Sequence, residues 1–255
     1  MKKEYGLIGF PLGHSFSRKF FTEKFLKEGI DAEYLNFEIP DARMLRDIVR
    51  QHPKLQGLNC TIPHKEAIIP LLDEISPEAE KIGAVNVIAI KHDLQGLTAE
   101  KGDNFRLTGY NSDIIGFVQS IRPLLEPHHR KALILGTGGA SKAVRCGLES
   151  LDIEPTFVSR KAKEGQLTYS DITPERLQEY TVIVNCTPVG MFPHVDEAPQ
   201  LPYEALTSRH LLYDLIYNPE ETLFLKKGAQ AGATIKNGQE MLELQALASW
   251  DFWNR

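Results

Sequence analysis

A chain of 255 residues, 42% hydrophobic and 25% charged, has the composition of an ordinary globular protein and is long enough for two domains. Its formal charge of −5 argues against a general nucleic-acid binder, which presents a basic face. No apolar run approaches the roughly 18 residues of a membrane span. Glu4, Gly9 and Pro11 break the opening MKKEYGLIGFPLGHS, so it does not read as a signal peptide, and a cytoplasmic protein is expected.

In chain order, YGLIG (5–9) reads as a strand. SRKFFTEKFLKEG (17–29) reads as a helix stopped by Gly29, with Phe20, Phe21, Phe25 and Leu26 at helical spacing. AEYLNFEI (32–39) is a strand. DARMLRDIVRQH (41–52) is a helix capped by Asp41, with Met44, Leu45, Ile48 and Val49 on one face. LQGLNCTIP (55–63) runs as a strand into a turn, AVNVIAI (84–90) is a further strand, and the polar stretch 91–111 reads as a long hairpin. The second half alternates more cleanly. KALILG (131–136), PTFVSR (155–160), TVIVNCTP (181–188) and HLLYDLIYN (210–218) are short apolar strands, with helices around 141–151, 174–180 and 222–231. Apolar strands separated by helices imply a parallel sheet covered on both faces. The tail 238–253 reads as an amphipathic helix. Cys60, Cys146 and Cys186 are odd in number and lack CxxC spacing. They are read as buried side chains in a reducing compartment, not as disulfide partners or zinc ligands. The sequons at Asn59 and Asn185 would then carry no glycan.

The stretch LILGTGGASKAV (133–144) is a strand, a glycine-rich turn and a helix, the opening of a dinucleotide-binding unit. Gly136 suits the tight turn, Gly138 allows close backbone approach to a pyrophosphate, and Ser141 is small enough for helix–strand packing. Thr137, Gly139 and Ala140 complete the phosphate-facing segment, where helix N–H groups favour negative charge. At the end of the next strand an NAD site usually carries an acid. Here Ser159, Arg160 and Lys161 stand there, and an arginine suits a 2′-phosphate, so NADP(H) is expected over NAD(H).

Four stretches of the first half carry more polar chemistry than loops require. In GHSFS, Ser15 and Ser17 are two apart and in an extended segment would point the same way, a neutral clamp for a carboxylate. NCTIPHK sets Asn59, Thr61 and Lys65 around a proline turn. GAVN ends at Asn86, and GYNSD at Asp113. Each also has a plain structural reading: helix cap, turn residue or surface charge.

Together with LGTGGAS, VNCTPVGM, DLIYNP and NGQEMLELQA, these pieces make nearly the whole chain resemble shikimate dehydrogenase. The resemblance implies an α/β fold of two domains. An N-terminal substrate domain, 1–112 with 238–255, would face a Rossmann-like NADP-binding domain, 113–237, across a cleft. It implies reversible NADPH-dependent reduction of 3-dehydroshikimate to shikimate, in the pathway to chorismate and the aromatic amino acids. Lys65 and Asp113 would be the catalytic pair, and Ser15, Ser17 and Tyr217 would hold the substrate carboxylate. Thr61, Asn86 and Gln245 would bind the ring hydroxyls with Asn59 lining the same pocket, and Leu215 and Gly238 would lie beside the nicotinamide. An ammonium at Lys65 suits the chemistry, because hydride delivery to a ketone leaves an alkoxide that needs a proton. His14 and His64 are read as neighbours, and no metal is required. Four departures from the family pattern stand out: Thr137 for alanine, Ser159-Arg160-Lys161 for Asn-Arg-Thr, Cys60 for valine, and a longer segment at 91–108. The expected partner is a small molecule, with neither nucleic acid nor membrane involved, and the chain a monomer or homodimer. Rival readings are a quinate/shikimate dehydrogenase of broader specificity, a methylenetetrahydrofolate dehydrogenase and a non-catalytic NADP(H)-binding sensor.

Overall fold

A computed structural model describes residues 2–13, 16–92, 103–161 and 163–255. The chain folds into two compact units, Met1–Ser112 with Gln245–Arg255, and Asp113–Leu244. Each is an α/β unit with its own sheet, the second Rossmann-like.

The first unit contains β1 (Lys3–Gly9), α1 (Phe16–Glu28), β2 (Ala32–Glu38), α2 (Leu45–Gln51), β3 (Leu55–Cys60), α3 (His64–Ala67), β4 (Glu74–Ile75), α4 (Pro77–Ile82), β5 (Val87–His92) and β6 (Phe105–Tyr110). They form a sheet in the order β2-β1-β3-β5-β6-β4. The strands β2, β1 and β3 run parallel, β5 opposes β3, and β6 opposes β5. A hairpin is present, with Val87 opposite Tyr110 and His92 opposite Phe105, but its first arm is the strand expected at 84–90, running on to His92, and only its second arm lies within 91–111. Residues 93–102, between its two strands in sequence, lie outside the described residues.

The core of this unit gathers Ile8, Leu45, Leu55, Leu58, Ile88, Phe105 and Leu107. Each such fully buried side chain contributes about 1.5–3 kcal/mol. Asp41 caps the turn before α2, its carboxylate accepting from the Arg43 N–H at 2.9 Å. Two apolar positions depart from expectation. Leu26 is 84% exposed and Met44 43% exposed, so α1 buries only Phe21 and Phe25, and α2 turns Leu45, Ile48 and Val49 inward.

The second unit contains α5 (Asp113–Ile121), β7 (Lys131–Leu135), α6 (Gly139–Glu149), β8 (Glu154–Val158), α7 (Pro174–Leu177), β9 (Val182–Asn185), β10 (Leu211–Asp214), α8 (Leu223–Gln230), β11 (Thr234–Lys236) and the start of α9 (Gln239–Trp253). Its sheet is wholly parallel in the order β11-β10-β9-β7-β8. Alternate residues of each strand face opposite layers. Ala132, Ile134, Val182, Val184, Leu211 and Tyr213 pack on one side, and Leu133, Leu135, Ile183 and Leu212 on the other. Burial on both faces explains why these strands read as continuous apolar runs. After β8 the chain returns past β7 to β9, which makes β7/β9 the switch point of the sheet.

The last turns of α9 belong to the first unit. There Trp253 lies with its ring centroid 5.0 Å from both Tyr5 and Phe21, and Trp250 lies 5.3 Å from Tyr5. Gly57 in β3 makes room for it, since a Cβ there would sit 2.2 Å from the Trp253 ring.

Candidate active site

Strand direction gathers the polar stretches of the first half. Because β1 and β3 are parallel neighbours, the segments leaving Gly9 and Cys60 emerge at the same end of the sheet. The reversal of β5 brings its beginning to that end, and the second reversal brings the end of β6 there too. Backbone bonds fix the arrangement. The Thr61 N–H donates to the Ile8 carbonyl at 2.9 Å, Cys60 to Asn86 at 2.8 Å, Asn86 to Tyr110 at 3.0 Å, and Val85 to Lys65 at 2.8 Å. Thr61 packs so closely over β1 that a Cβ on Gly9 would lie 2.5 Å from its methyl group.

Around this end runs a continuous side-chain network. Ser17, in α1, lies beside the buried Tyr34 hydroxyl, which donates to Asn59 Oδ1 at 2.7 Å; burial pushes the Tyr34 phenol well above its ordinary value. Asn59 Nδ2 donates to Ser249 Oγ at 2.9 Å. Ser249 Oγ lies 3.3 Å from Ser112 Oγ, and Ser112 is clasped by Asn86, whose Oδ1 accepts the Ser112 N–H at 2.7 Å and whose Nδ2 donates to its hydroxyl at 3.1 Å. Ser249 Oγ also donates to the Gln245 carbonyl at 2.8 Å. The first unit thus brings together Ser17, Asn59, Thr61, Lys65, Asn86 and the Gln245 backbone, while Ser15 and His14 lie outside the described residues. His64 is buried and its Nε2 donates to the Ile39 carbonyl at 2.7 Å, a structural bond. Cys60 packs inward.

In the second unit Asp113 opens α5 and is 2% exposed. The glycine turn leaves β7 at the switch point. Gly136 has φ +98, a left-handed conformation that favours glycine, and a Cβ on it would press on the Thr187 methyl at 2.9 Å. A Cβ on Gly138, by contrast, would meet nothing within 4 Å, so the space over the turn is open. Gly138, the N-cap of α6, supplies no side-chain cap, and Thr137 and Gly138 are exposed there. Ser141 is buried, and its hydroxyl donates to the Gly138 carbonyl at 2.6 Å. Beyond β8, Ser159 is half-buried, Arg160 and Lys161 are exposed, and the first acid is Glu164. An open turn at a helix N-terminus and a basic end to the neighbouring strand fit a 2′-phosphorylated dinucleotide.

The loops after β9 and β10 are held by a buried cluster. The Asp214 carboxylate accepts from Thr222 Oγ1 at 2.6 Å, from the Ile216 N–H at 3.0 Å and from Asn185 Nδ2 at 3.1 Å. Burial outweighs these donors and raises its carboxyl to about 6. Asn185 Oδ1 in turn accepts the Thr187 hydroxyl at 2.7 Å. This cluster sets Leu215 against Gly238, where a Cβ would lie only 2.1 Å from the Leu215 carbonyl oxygen. Tyr217 follows on the surface, 39% exposed, and lines an open pocket of about 480 Å³ with Lys236, Gln239 and Glu243.

The sequence alone does not mark Tyr34, Ser112, Ser249 or Asp214 as site residues. Ser112 and Asp214 sit inside quoted motifs, where a signal for them exists. Tyr34 reads as strand core and Ser249 as helix.

The family model for the shikimate dehydrogenase substrate binding domain matches residues 7–88. The shikimate dehydrogenase (NADP(+)) of Caldanaerobacter subterraneus subsp. tengcongensis is 36% identical over 269 residues, covering 98% of this chain and 91% of that protein. Among solved structures, the shikimate 5-dehydrogenase of Thermus thermophilus in complex with NADP(H) and shikimate matches with a TM-score of 0.81 at 28% identity, covering 98% of this chain and 93% of that one. A quinate dehydrogenase from Corynebacterium glutamicum in complex with NAD matches with a TM-score of 0.84 at 25% identity, covering 99% and 93%. The likeness thus runs through both units, and the chain belongs to the shikimate dehydrogenase family.

Proposed function

We propose that this protein is an NADP(H)-dependent shikimate dehydrogenase, interconverting 3-dehydroshikimate and shikimate. The observation that carries the reading is the convergence of Ser17, Asn59, Thr61, Lys65 and Asn86 on one end of the first unit's sheet. Those are the residues to which the family resemblance gives the carboxylate, the ring hydroxyls and the proton.

NADP(H), when bound, would supply the hydride to, or take it from, the carbon bearing the reacting oxygen. Lys65 gives its ammonium proton to the oxygen in the reducing direction and takes it back in the other. Asp113 is assigned the other half of the catalytic pair. The hydroxyls of Ser15 and Ser17, with Tyr217, bind the carboxylate. Thr61, Asn86 and Gln245 bind the ring hydroxyls, while Asn59, its Oδ1 and Nδ2 both engaged by protein groups, shapes the pocket wall. On the cofactor side, Gly136 to Ala140 would hold the pyrophosphate and Ser159, Arg160 and Lys161 the 2′-phosphate, with Leu215 and Gly238 the residues for the nicotinamide.

Since a quinate dehydrogenase shares the fold, the fold alone does not choose the acid. The basic run at 159–161 favours NADP(H), and the ring-hydroxyl set favours shikimate. Calorimetric titration of the protein with shikimate and then with quinate tests this directly. Tighter binding of shikimate is expected; equal or tighter binding of quinate would move the protein to its broader-specificity relatives.

A further inference from the structure

We infer that Ser249, on the tail helix, is a positioning residue that fixes the hydrogen-bond polarity of the substrate-binding end of the first unit. The inference rests on the shikimate reading above.

A serine hydroxyl has one proton and two lone pairs. The Ser249 proton goes to the Gln245 carbonyl, a bond of 2.8 Å one helical turn back. Toward its side-chain neighbours Ser249 Oγ can therefore only accept. Asn59 must present Nδ2 to it, at 2.9 Å, which turns Oδ1 toward Tyr34. Tyr34 spends its single proton on that oxygen at 2.7 Å, so toward Ser17 beside it the phenol oxygen can only accept. On the other side Ser112, 3.3 Å away, is likewise met by an acceptor, and Ser112 is gripped by the Asn86 side chain. One hydroxyl thus sets the orientation of Asn59, bears through Tyr34 on Ser17, bears through Ser112 on Asn86, and ties down the backbone of Gln245.

Burial makes the arrangement stringent. Ser249 and Ser112 are 0% exposed and Tyr34 4%, so water cannot replace a lost partner. A serine in a helix often only bonds back to the preceding turn. Here the same oxygen also accepts from a β3 amide 190 positions away in sequence, which local helix chemistry does not require.

The test is calorimetric binding of shikimate and of NADP⁺ to the full-length protein. Ser249→Ala removes the short acceptor of the Asn59 amide, leaves it only the 3.5 Å bond to the Asn86 carbonyl, and so loosens its orientation. The shikimate Kd should rise about tenfold, as for a lost buried hydrogen bond, while the NADP⁺ Kd stays within about twofold. Ser249→Thr, which keeps the oxygen, should recover most of the affinity. Tyr34→Phe breaks the relay at its other end without altering the tail helix. It should also weaken shikimate binding, and the Ser249→Ala/Tyr34→Phe pair should be less than additive. It gives an independent reading if Ser249→Ala does not fold. Unchanged shikimate affinity in the single variants, or parallel loss of shikimate and NADP⁺ affinity, would overturn the positioning role alone. A wild-type protein that binds no shikimate would overturn the functional reading along with it.

Discussion

The two sheets bring their chemistry to one end by different means. The sheet of the second unit is wholly parallel, so every strand delivers its carboxyl end, and the loop beyond it, to the same side. What it offers there is chiefly backbone, an open glycine turn, a helix start without a side-chain cap and the Leu215 carbonyl close against Gly238, with the exposed Arg160 and Lys161 beyond β8. The sheet of the first unit reverses twice, and its working end mixes the exits of β1, β3 and β6 with the beginning of β5. What it offers is side chains, held by a buried relay from Tyr34 to Asn86. Backbone suits a phosphate chain, which needs N–H donors and room. Fixed side chains suit a small polyhydroxylated acid, whose hydroxyls must each be met.

If the division holds, lesions in one unit should spare the other. The largest effect is expected from Lys65→Ala, which should lower turnover by about 10²–10⁴ by removing the positioned proton donor. NADPH binding, followed by fluorescence titration, should hardly change. Arg160→Ala should do the reverse, weakening NADPH binding by roughly 1.5–3 kcal/mol, as for a lost charged hydrogen bond, and NADH binding much less. Equal losses for the two cofactors would show that Arg160 does not read the 2′-phosphate.

The comparison can be sharpened inside the second unit. Gly238→Ala has no room beside the Leu215 carbonyl and should cost about 1–3 kcal/mol in urea unfolding. Gly138→Ala faces open space and should leave stability within about 0.5 kcal/mol while weakening cofactor binding.

The smallest effect is a pH dependence. The folded protein raises the Asp214 carboxyl from 3.8 to about 6. Between those values the native state binds the proton more readily than the unfolded chain. The stability this group contributes is therefore full below 3.8 and is lost as pH rises through about 6. Burial lowers His129 and His210, whose contribution runs the other way, present above 6.5 and lost as pH falls. Asp214→Asn isolates the first slope, since the histidines are common to both proteins. The stability of wild type relative to the variant should fall by on the order of 1 kcal/mol between pH 4 and pH 6.5. A flat difference would mean that Asp214 takes up its proton over the same pH range in the folded and unfolded chain.

The second unit is the more legible from sequence because its strands are buried on both faces and bounded by helices. Strand ends are harder to place. TVIVNCTP reads as one strand, yet β9 stops at Asn185, where the side chain turns to hold Thr187. The helix α5 escapes the reading because DIIGFVQSI is apolar enough to suit strand or helix. In the first unit α4 carries its signals plainly, with Ser76 accepting from the Ala79 N–H, Pro77 behind it, and Gly83 at φ +71 closing the helix. It buries only Ala79 and Ile82, too little to show as a period. Leu26 and Met44 fit a helical stripe by spacing but fall at its margin. The polar motifs themselves are visible, because Ser, Asn, Thr and Lys around glycine and proline are more than a loop needs. That they share one end of the sheet is not, since it depends on which strands reverse. The relay is hidden for a similar reason: Tyr34, Asn59 and Ser249 meet only through long-range pairing.

The central claim is tested most directly by nicotinamide absorbance during turnover, with shikimate or quinate each offered NADP⁺ or NAD⁺. Fast reduction with shikimate and NADP⁺, and slow or none in the other three reactions, is the predicted result. No reduction in any of the four, by protein that still binds NADPH, would contradict the account and leave a cofactor-binding protein without the chemistry.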